Sequence, residues 1–197
     1  MAVNLQKGQK VELRKENGTT LRRVMVGLGW DEVEHKRGLF ALKPQDIDCD
    51  ASAFVCTNGH LMGVSDIVYY GNLTHSSGAI RHMGDNLTGS GEGDDEEIFV
   101  NLMELPEKYD KIIIVVNIYQ AAKRSQHFGM VRNAFIRICD AEANNRELCR
   151  YNLSENYDGM TAMVFGELYR YQGTWKFNAI GQPTRDDSIS ELARRFT

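Results

Sequence analysis

Residues 46–60 read DIDCDASAFVCTNGH, and this stretch decides the fold class. Apolar residues fall on every second position, with Ile47, Cys49, Ala51, Ala53 and Val55 on one side and Asp46, Asp48 and Asp50 on the other. Period-two alternation is the signature of a β-strand. The strand ends near Thr57, and Asn58-Gly59 follows it. That dipeptide is the strongest short hairpin signal in the chain, because a two-residue reversal needs positive φ at both central residues. A strand followed by a tight reversal predicts antiparallel β structure.

Working outward, the same rhythm recurs. Val3, Leu5, Val11 and Leu13 mark a first strand region, followed by an Asn17-Gly18 turn. Val24, Val26, Leu28 and Trp30 alternate with Met25, Gly27 and Gly29 as a second strand. A short strand is expected over 67–70, and Ser76-Ser77-Gly78 turns the chain. Ile98, Val100 and Leu102 alternate with Phe99, Asn101 and Met103 until Pro106 breaks the pattern. Residues 112–118 are apolar on both faces and read as a central strand. Ala134, Ile136 and Ile138 mark another strand, 148–153 a weaker one, and 160–171 pairs with 174–180 around Gln172-Gly173.

Many short strands at regular spacing indicate a β-sandwich. Crossover helices are missing, so the expected class is all-β: an antiparallel β-sandwich. Residues 120–128 are polar and read as a helical turn or an exposed loop. At the C-terminus Ser188-Ile189-Ser190-Glu191 is a capping-box pattern, with Ile189, Leu192, Ala193 and Phe196 at helical spacing behind it. Arg194 and Arg195 suit the negative end of that helix. A short C-terminal helix packed on the sandwich is therefore expected. No repeat or linker divides the chain, which predicts a single domain over 1–197.

Chemistry is concentrated in two acidic segments. Residues 81–97, RHMGDNLTGSGEGDDEE, hold six carboxylates, at Asp85, Glu92, Asp94, Asp95, Glu96 and Glu97. They also hold oxygen donors on Asn86, Thr88 and Ser90, and glycines at 84, 89, 91 and 93. Such charge repels itself unless a cation sits within it. Calcium takes about 6–8 oxygens and accepts carboxylates, amide oxygens and backbone carbonyls together. Glycines let the backbone curl so that carbonyls can aim inward. The competing reading is a solvated acidic linker. Two other motifs fail. A dinucleotide fingerprint needs glycine where Asp94 stands. The EF-hand register from Asp85 places Leu87, Gly89 and Ser90 at positions 3, 5 and 6.

The second segment is the acidic strand. Same-face neighbours on a strand lie about 7 Å apart, close for three uncompensated carboxylates in a partly buried sheet. The alternative is a charged, solvent-facing edge that discourages aggregation. Two acid clusters in one small chain favour a shared metal site.

Composition excludes several classes. With 197 residues, 42% hydrophobic, 25% charged and a net charge of −4, the chain is ordinary for a soluble globular protein. Lys and Arg are scattered, so no nucleic-acid partner is expected. The aromatic–basic neighbours at Tyr169, Arg170, Tyr171, Trp175 and Lys176 read as a hairpin. No apolar leader opens the chain and no run is long enough to span a bilayer. Cysteines 49, 56, 139 and 149 show no CxxC pairing and histidines 35, 60, 75, 82 and 127 no HxxxH pattern. Zinc is disfavoured, and a cytoplasmic, reducing compartment is the expectation.

The chain resembles the TerD family, the calcium-binding tellurite-resistance and general-stress proteins of bacteria. The resemblance lies in GLGWD at 27–31, DIDCDASAF at 46–54 and HMGDNLTGSGEGDDEEI at 82–98. NAFIRI at 133–138, TAMVFGELYR at 161–170 and WKFNAIGQ at 175–182 extend it. It covers nearly the whole chain. It implies a sandwich binding more than one Ca2+ through oxygen ligands. Carried over residue by residue, it implies Asp85, Asn86, Thr88, Gly89, Glu92, Asp94, Asp95 and Glu96 as loop ligands. Asp48 and Asp50 match its strand acids, and Asp31 the acid after the tryptophan. Some of these would steady ligands from outside the coordination sphere. Ser90 stands where many relatives have an acid, and Cys49 where they have an aliphatic residue. The resemblance also implies a role in tellurite, oxidative and envelope stress. Its implied partners are a TerC-like membrane protein and related family members.

Three readings of function follow. The first is a non-enzymatic calcium-binding module whose acidic loop is ordered by the ion for partner recognition. The second is a metal-dependent hydrolase acting on phosphorylated substrates, with His82 the nearest candidate base. The third is a scaffold stapled by permanent calcium. Direct tellurite chemistry at the cysteines is the weakest idea, since reactive thiols need exposure and a lowered pKa.

Overall fold

The computed structural model describes residues 2–15, 17–32, 47–84, 94–153, 155 and 157–197. The strands are β1 (Val3–Leu5), β2 (Lys10–Glu12), β3 (Arg23–Glu32), β4 (Cys49–Thr57), β5 (His60–Leu61), β6 (Ile67–Val68) and β7 (Ile80–His82). They continue with β8 (Glu96–Asn101), β9 (Tyr109–Ile118), β10 (Val131–Asp140), β11 (Arg146–Asn152), β12 (Ala162–Tyr171) and β13 (Thr174–Thr184). Two short helices are added, α1 (Ala121–Arg124) and α2 (Ile189–Ala193).

The strands form two sheets. One has the order β1-β11-β10-β3-β8-β7, the other β2-β13-β12-β9-β4-β5, with β6 also paired to β4. Between them lies one apolar core. Val24, Val26 and Leu28 of β3 and Ile98 and Val100 of β8 share it with Ile112, Ile114 and Val116 of β9 and Ala51, Ala53 and Val55 of β4. The all-β sandwich and the C-terminal helix read from the sequence are therefore present.

The Asn58-Gly59 reversal joins β4 to β5 with φ of 52° and 79°, the positive pair that such a turn requires. Gln172-Gly173 reverses β12 into β13 in the same way, at 50° and 76°.

Three details depart from expectation. The N-terminal strand region is two strands, β1 and β2, in different sheets. The β1–β11 pair is parallel, whereas the other strand pairs described are antiparallel. Residues 6–145 lie between those two strands, so no tight turn imposes the antiparallel sense. The polar stretch 120–128 holds one helical turn, α1, bounded by Gln120 and Ser125 at positive φ, yet Phe128 at its end is buried.

The outer face of the second sheet is covered by the C-terminus. Phe54, Cys56, Ile113, Val115 and Val164 form a smaller cluster with Leu192 and Ala193 of α2. Phe196 meets Phe54 edge-on, with centroids 5.9 Å apart. The cap is as read: the Glu191 N–H donates to Ser188 Oγ at 3.2 Å. The Glu191 carboxylate, however, accepts from the Asp187 N–H at 2.9 Å, one residue before the cap.

Arg195 pairs with Asp186 at 2.6 Å, reaching back instead of merely facing the helix dipole. Burial pushes the Asp186 carboxyl up, but hydrogen bonds from Arg195 and Thr184 outweigh it and hold it below its ordinary range.

Leu192 is fully buried under α2, so Leu192→Ala should cost about 3 kcal/mol in urea unfolding. A lowered native pKa stabilises above the unfolded value and is lost as pH falls through the native one. The helix contribution of Asp186 should therefore decline below about pH 4. Asp186→Asn should flatten that part of the stability–pH profile, read by chemical denaturation from pH 7 to pH 3.

Candidate metal centre

One end of the sandwich gathers the acids. There β3 finishes, β4 and β8 begin and β7 ends, because β3 and β7 run antiparallel to β8 on either side. Of the sequence-predicted ligands, Asp31, Asp48, Asp50, Asp94, Asp95 and Glu96 belong to this end. Asp85, Asn86, Thr88, Gly89 and Glu92 lie outside the described residues.

Glu96 follows from the alternation of β8. It shares the buried face with Ile98 and Val100 and is 2% exposed. A carboxylate there needs partners. His82 on β7 places Nε2 2.8 Å from Glu96 Oε2 and 3.2 Å from the Ala51 carbonyl on β4. Its Nδ1 accepts from the Gly84 N–H at 3.1 Å. An accepting Nδ1 carries no proton, so Nε2–H is the donor. The bond to Ala51 links the two sheets and holds the ring against the Glu96 carboxylate. It is 1% exposed with both nitrogens engaged, which is poor geometry for the general base of a hydrolase.

Asp94 precedes β8 and is gripped by Arg137 of β10. Guanidinium Nε and Nη2 each lie 2.8 Å from a carboxylate oxygen. This fork-to-fork pair raises the Arg137 pKa, chiefly through the hydrogen bond to Asp94. The pair lies over Gly27 of β3, where a Cβ would collide with the Asp94 carboxylate. Glycine in GLGWD is thus a clearance for this ion pair. Arg137 was hidden in the sequence as one polar residue in a strand pattern, and only its place in NAFIRI hinted at a role.

Asp95 binds β3 twice. Its N–H donates to the Leu28 carbonyl at 2.7 Å and its Oδ2 accepts from the Trp30 N–H at 2.9 Å. Burial pushes its carboxyl up. The Trp30 hydrogen bond opposes this, while negative charge on Asp94, Asp31 and Glu96 adds to it. Asp31 accepts a hydrogen bond from the Asn133 amide. Asn133 has φ of 50°, within the register shift of β10.

Asp48 and Asp50 are not an acidic solvent edge. β4 lies inside its sheet, between β9 and the β5 and β6 segments, and the two acids are 7% and 3% exposed. Arg124 of α1 reaches within 3.7 Å of Asp48, and the Asn117 amide of β9 donates to Asp50 at 3.5 Å. Cys49 between them registers the crowding. Burial, then Asp50, Asp48, Asp95 and Glu96, push its thiol well above the ordinary range. Four carboxylates from two sheets therefore act on one buried point. The other thiols are also buried and raised by desolvation, Cys56 and Cys149 to about 12 and Cys139 to about 11. None is poised as a nucleophile.

Oxygen-only donors, several desolvated and mutually repelling, match a hard cation such as calcium and mismatch zinc. Among the described residues no three His, Cys, Asp or Glu side chains converge closely enough to hold a metal ion.

Residues 1–196 match the TerD domain. The chain belongs to the TerD family. Stress response protein SCP2 of Bacillus subtilis strain 168 is 42% identical over 200 residues, covering 100% of both chains. Tellurium resistance protein TerD of Serratia marcescens is 47% identical over 183 residues, covering 92% of this chain and 91% of that one. A crystal structure of a TerD homologue from Streptomyces coelicolor A3(2) superposes with a TM-score of 0.65 at 23% identity, over 90% of this chain and 98% of that chain. That likeness shows the TerD fold. No helix among the described residues is long and apolar enough to cross a membrane.

Removing Arg137 strands a carboxylate whose side chain is 1% exposed. Arg137→Ala should destabilise this TerD protein by about 3 kcal/mol in chelator. Adding Asp94→Asn should restore part of the loss. Equal loss in the single and double variants would show that the guanidinium stabilises by packing alone.

Proposed function

We propose that this tellurium-resistance and stress-response family member is a non-enzymatic calcium-binding module. Calcium would order its acidic loop for recognition by a partner. The observation that carries this reading is the charge at one end of the sandwich. Six carboxylates belong to that end, with the guanidinium groups of Arg124 and Arg137 beside Asp48 and Asp94, and burial and neighbouring acids raise the Asp95 carboxyl.

Asp48, Asp50, Asp95 and Glu96 would supply the framework ligands, with Asp31 beside them. The loop residues Asp85, Asn86, Thr88, Gly89 and Glu92 would complete the set. The cation supplies charge neutralisation. The chain's own residues do the positioning: His82 orients Glu96, the Trp30 N–H orients Asp95, and Arg137 anchors Asp94 at the start of β8. Binding to the folded state alone stabilises it by mass action, and a partner that recognises only the ordered loop would read calcium as a switch. The names of the relatives point to tellurium resistance and general stress as the setting. A membrane protein of the TerC type and other family members are the proposed partners.

Calorimetric titration of chelator-stripped protein, at physiological magnesium, tests this directly. Saturable calcium binding is expected, weakened about tenfold or more by Asp50→Asn or Glu96→Gln, since affinity follows ligand charge. Amide exchange across 84–94 should slow with calcium. Absence of heat, together with identical exchange in calcium and in chelator, would refute the proposal.

A further inference from the structure

A second site lies on the outer face of the first sheet, running from Arg23 at the start of β3 to Arg81 and Met83, which flank His82 on β7. Arg23 and Asp31 are eight residues apart on β3, about 26 Å. On the outer face of the first sheet, Arg23, Arg81, Met83, Phe99, Asn101 and Glu104 line a groove of about 500 Å³. Its volume falls within the range of roughly 300–1,000 Å³ typical of small-molecule sites.

The strand pairing explains why these side chains meet. Arg81 on β7 stands opposite Phe99 on β8, and Arg23 on β3 stands opposite Asn101 on β8. Each alternates with a core residue, so all four project outward. The two arginine Cα atoms are about 12 Å apart by strand spacing, which lets two long side chains converge on one ligand group.

The charge there is uncommitted. Among the described residues neither Arg23 nor Arg81 makes a side-chain hydrogen bond or ion pair, whereas Arg137 and Arg195 are both held by carboxylates. Glu142 is within electrostatic reach of Arg23 but is bonded to Lys15 at 2.7 Å. Two guanidinium groups in a chain of net charge −4 form a local anion site, and their planar forks fit phosphate oxygens.

The rest of the groove selects the body of the ligand. Phe99 is half-buried and Met83 is 51% exposed, giving a flat apolar wall. Asn101 offers an amide. Glu104 at the rim accepts from an N–H or O–H and repels further negative charge. That repulsion disfavours a polyphosphate, a nucleic acid or an anionic membrane surface.

We propose that this groove binds a small soluble organic phosphate. A single phosphate group would be held by Arg23 and Arg81, and a flat body would lie on Phe99. The site shares no proposed ligand with the calcium centre and needs no metal.

The test uses the full chain in chelator, which prevents phosphate from binding through calcium. Phenyl phosphate is titrated calorimetrically and by backbone amide shifts. Saturable binding is expected, with shifts centred on 79–83 and 99–101. Affinity should fall at least tenfold in Arg23→Gln/Arg81→Gln. Both arginines are exposed, so that variant should fold, as circular dichroism would verify. Phe99→Leu should weaken phenyl phosphate while leaving inorganic phosphate unchanged. The proposal is overturned by no binding at the probe's solubility limit, or by affinity unchanged in the double variant. It is equally overturned if inorganic phosphate binds as tightly as phenyl phosphate, which would make the groove a bare anion site. None of these outcomes bears on calcium binding, which is read separately.

Discussion

Carboxylates removed from water must be compensated, and the acidic end of this sandwich is organised around that requirement. A desolvated carboxylate is costly unless paired and hydrogen-bonded. Each described acid there has an answer from a different element. Arg137 of β10 takes Asp94, the β3 backbone takes Asp95, and His82 of β7 takes Glu96. Asn117 of β9 takes Asp50, and Arg124 of α1 approaches Asp48. Each answer comes from within the acid's own sheet or from α1, and the bond that crosses between the sheets at this end is the one from His82 to the Ala51 carbonyl.

Two carboxyls at this end are nevertheless raised. Asp95 and Glu97 are both pushed above the ordinary carboxylate range, first by burial and then with Asp94 adding repulsion. A closed structural network would lower such values through more donors. Among the described residues this end holds more carboxylates than guanidinium groups, and that imbalance is what supports the proposed calcium site. The same reasoning weakens the alternatives. The thiols are desolvated and raised, and the histidine beside the acids is locked by two hydrogen bonds.

The outer face of the first sheet shows the inverse imbalance. Arg23 and Arg81 carry positive charge with no described carboxylate bonded to them, around a half-buried aromatic ring. The first sheet thus presents an acidic end and a basic groove along one strand. Arg23 and Arg81 are exposed on its outer face there, whereas α2 covers the corresponding face of the second sheet.

Local sequence determined most of the strands, though not β7, the reversals at Asn58-Gly59 and Gln172-Gly173, the capped C-terminal helix and the two acidic segments. Each depends on neighbours within a few residues, through side-chain alternation, positive φ or a cap. Burial of β4 on both faces was less legible, because alternation reads identically in an edge strand and in an interior strand packed on its second face by a remote helix. The split of 3–13 between two sheets and the parallel β1–β11 pair left no local trace, since Val3 pairs with Cys149 and Val11 with Phe177. Tertiary structure alone decided that Asp31, Asp48, Asp50 and 94–96 share one end, that Arg137 clasps Asp94 above Gly27, and that Arg23 and Arg81 flank Phe99. The physical reason is common to all three. Strand register places residues remote in sequence side by side, and neither composition nor periodicity carries information about register between distant strands.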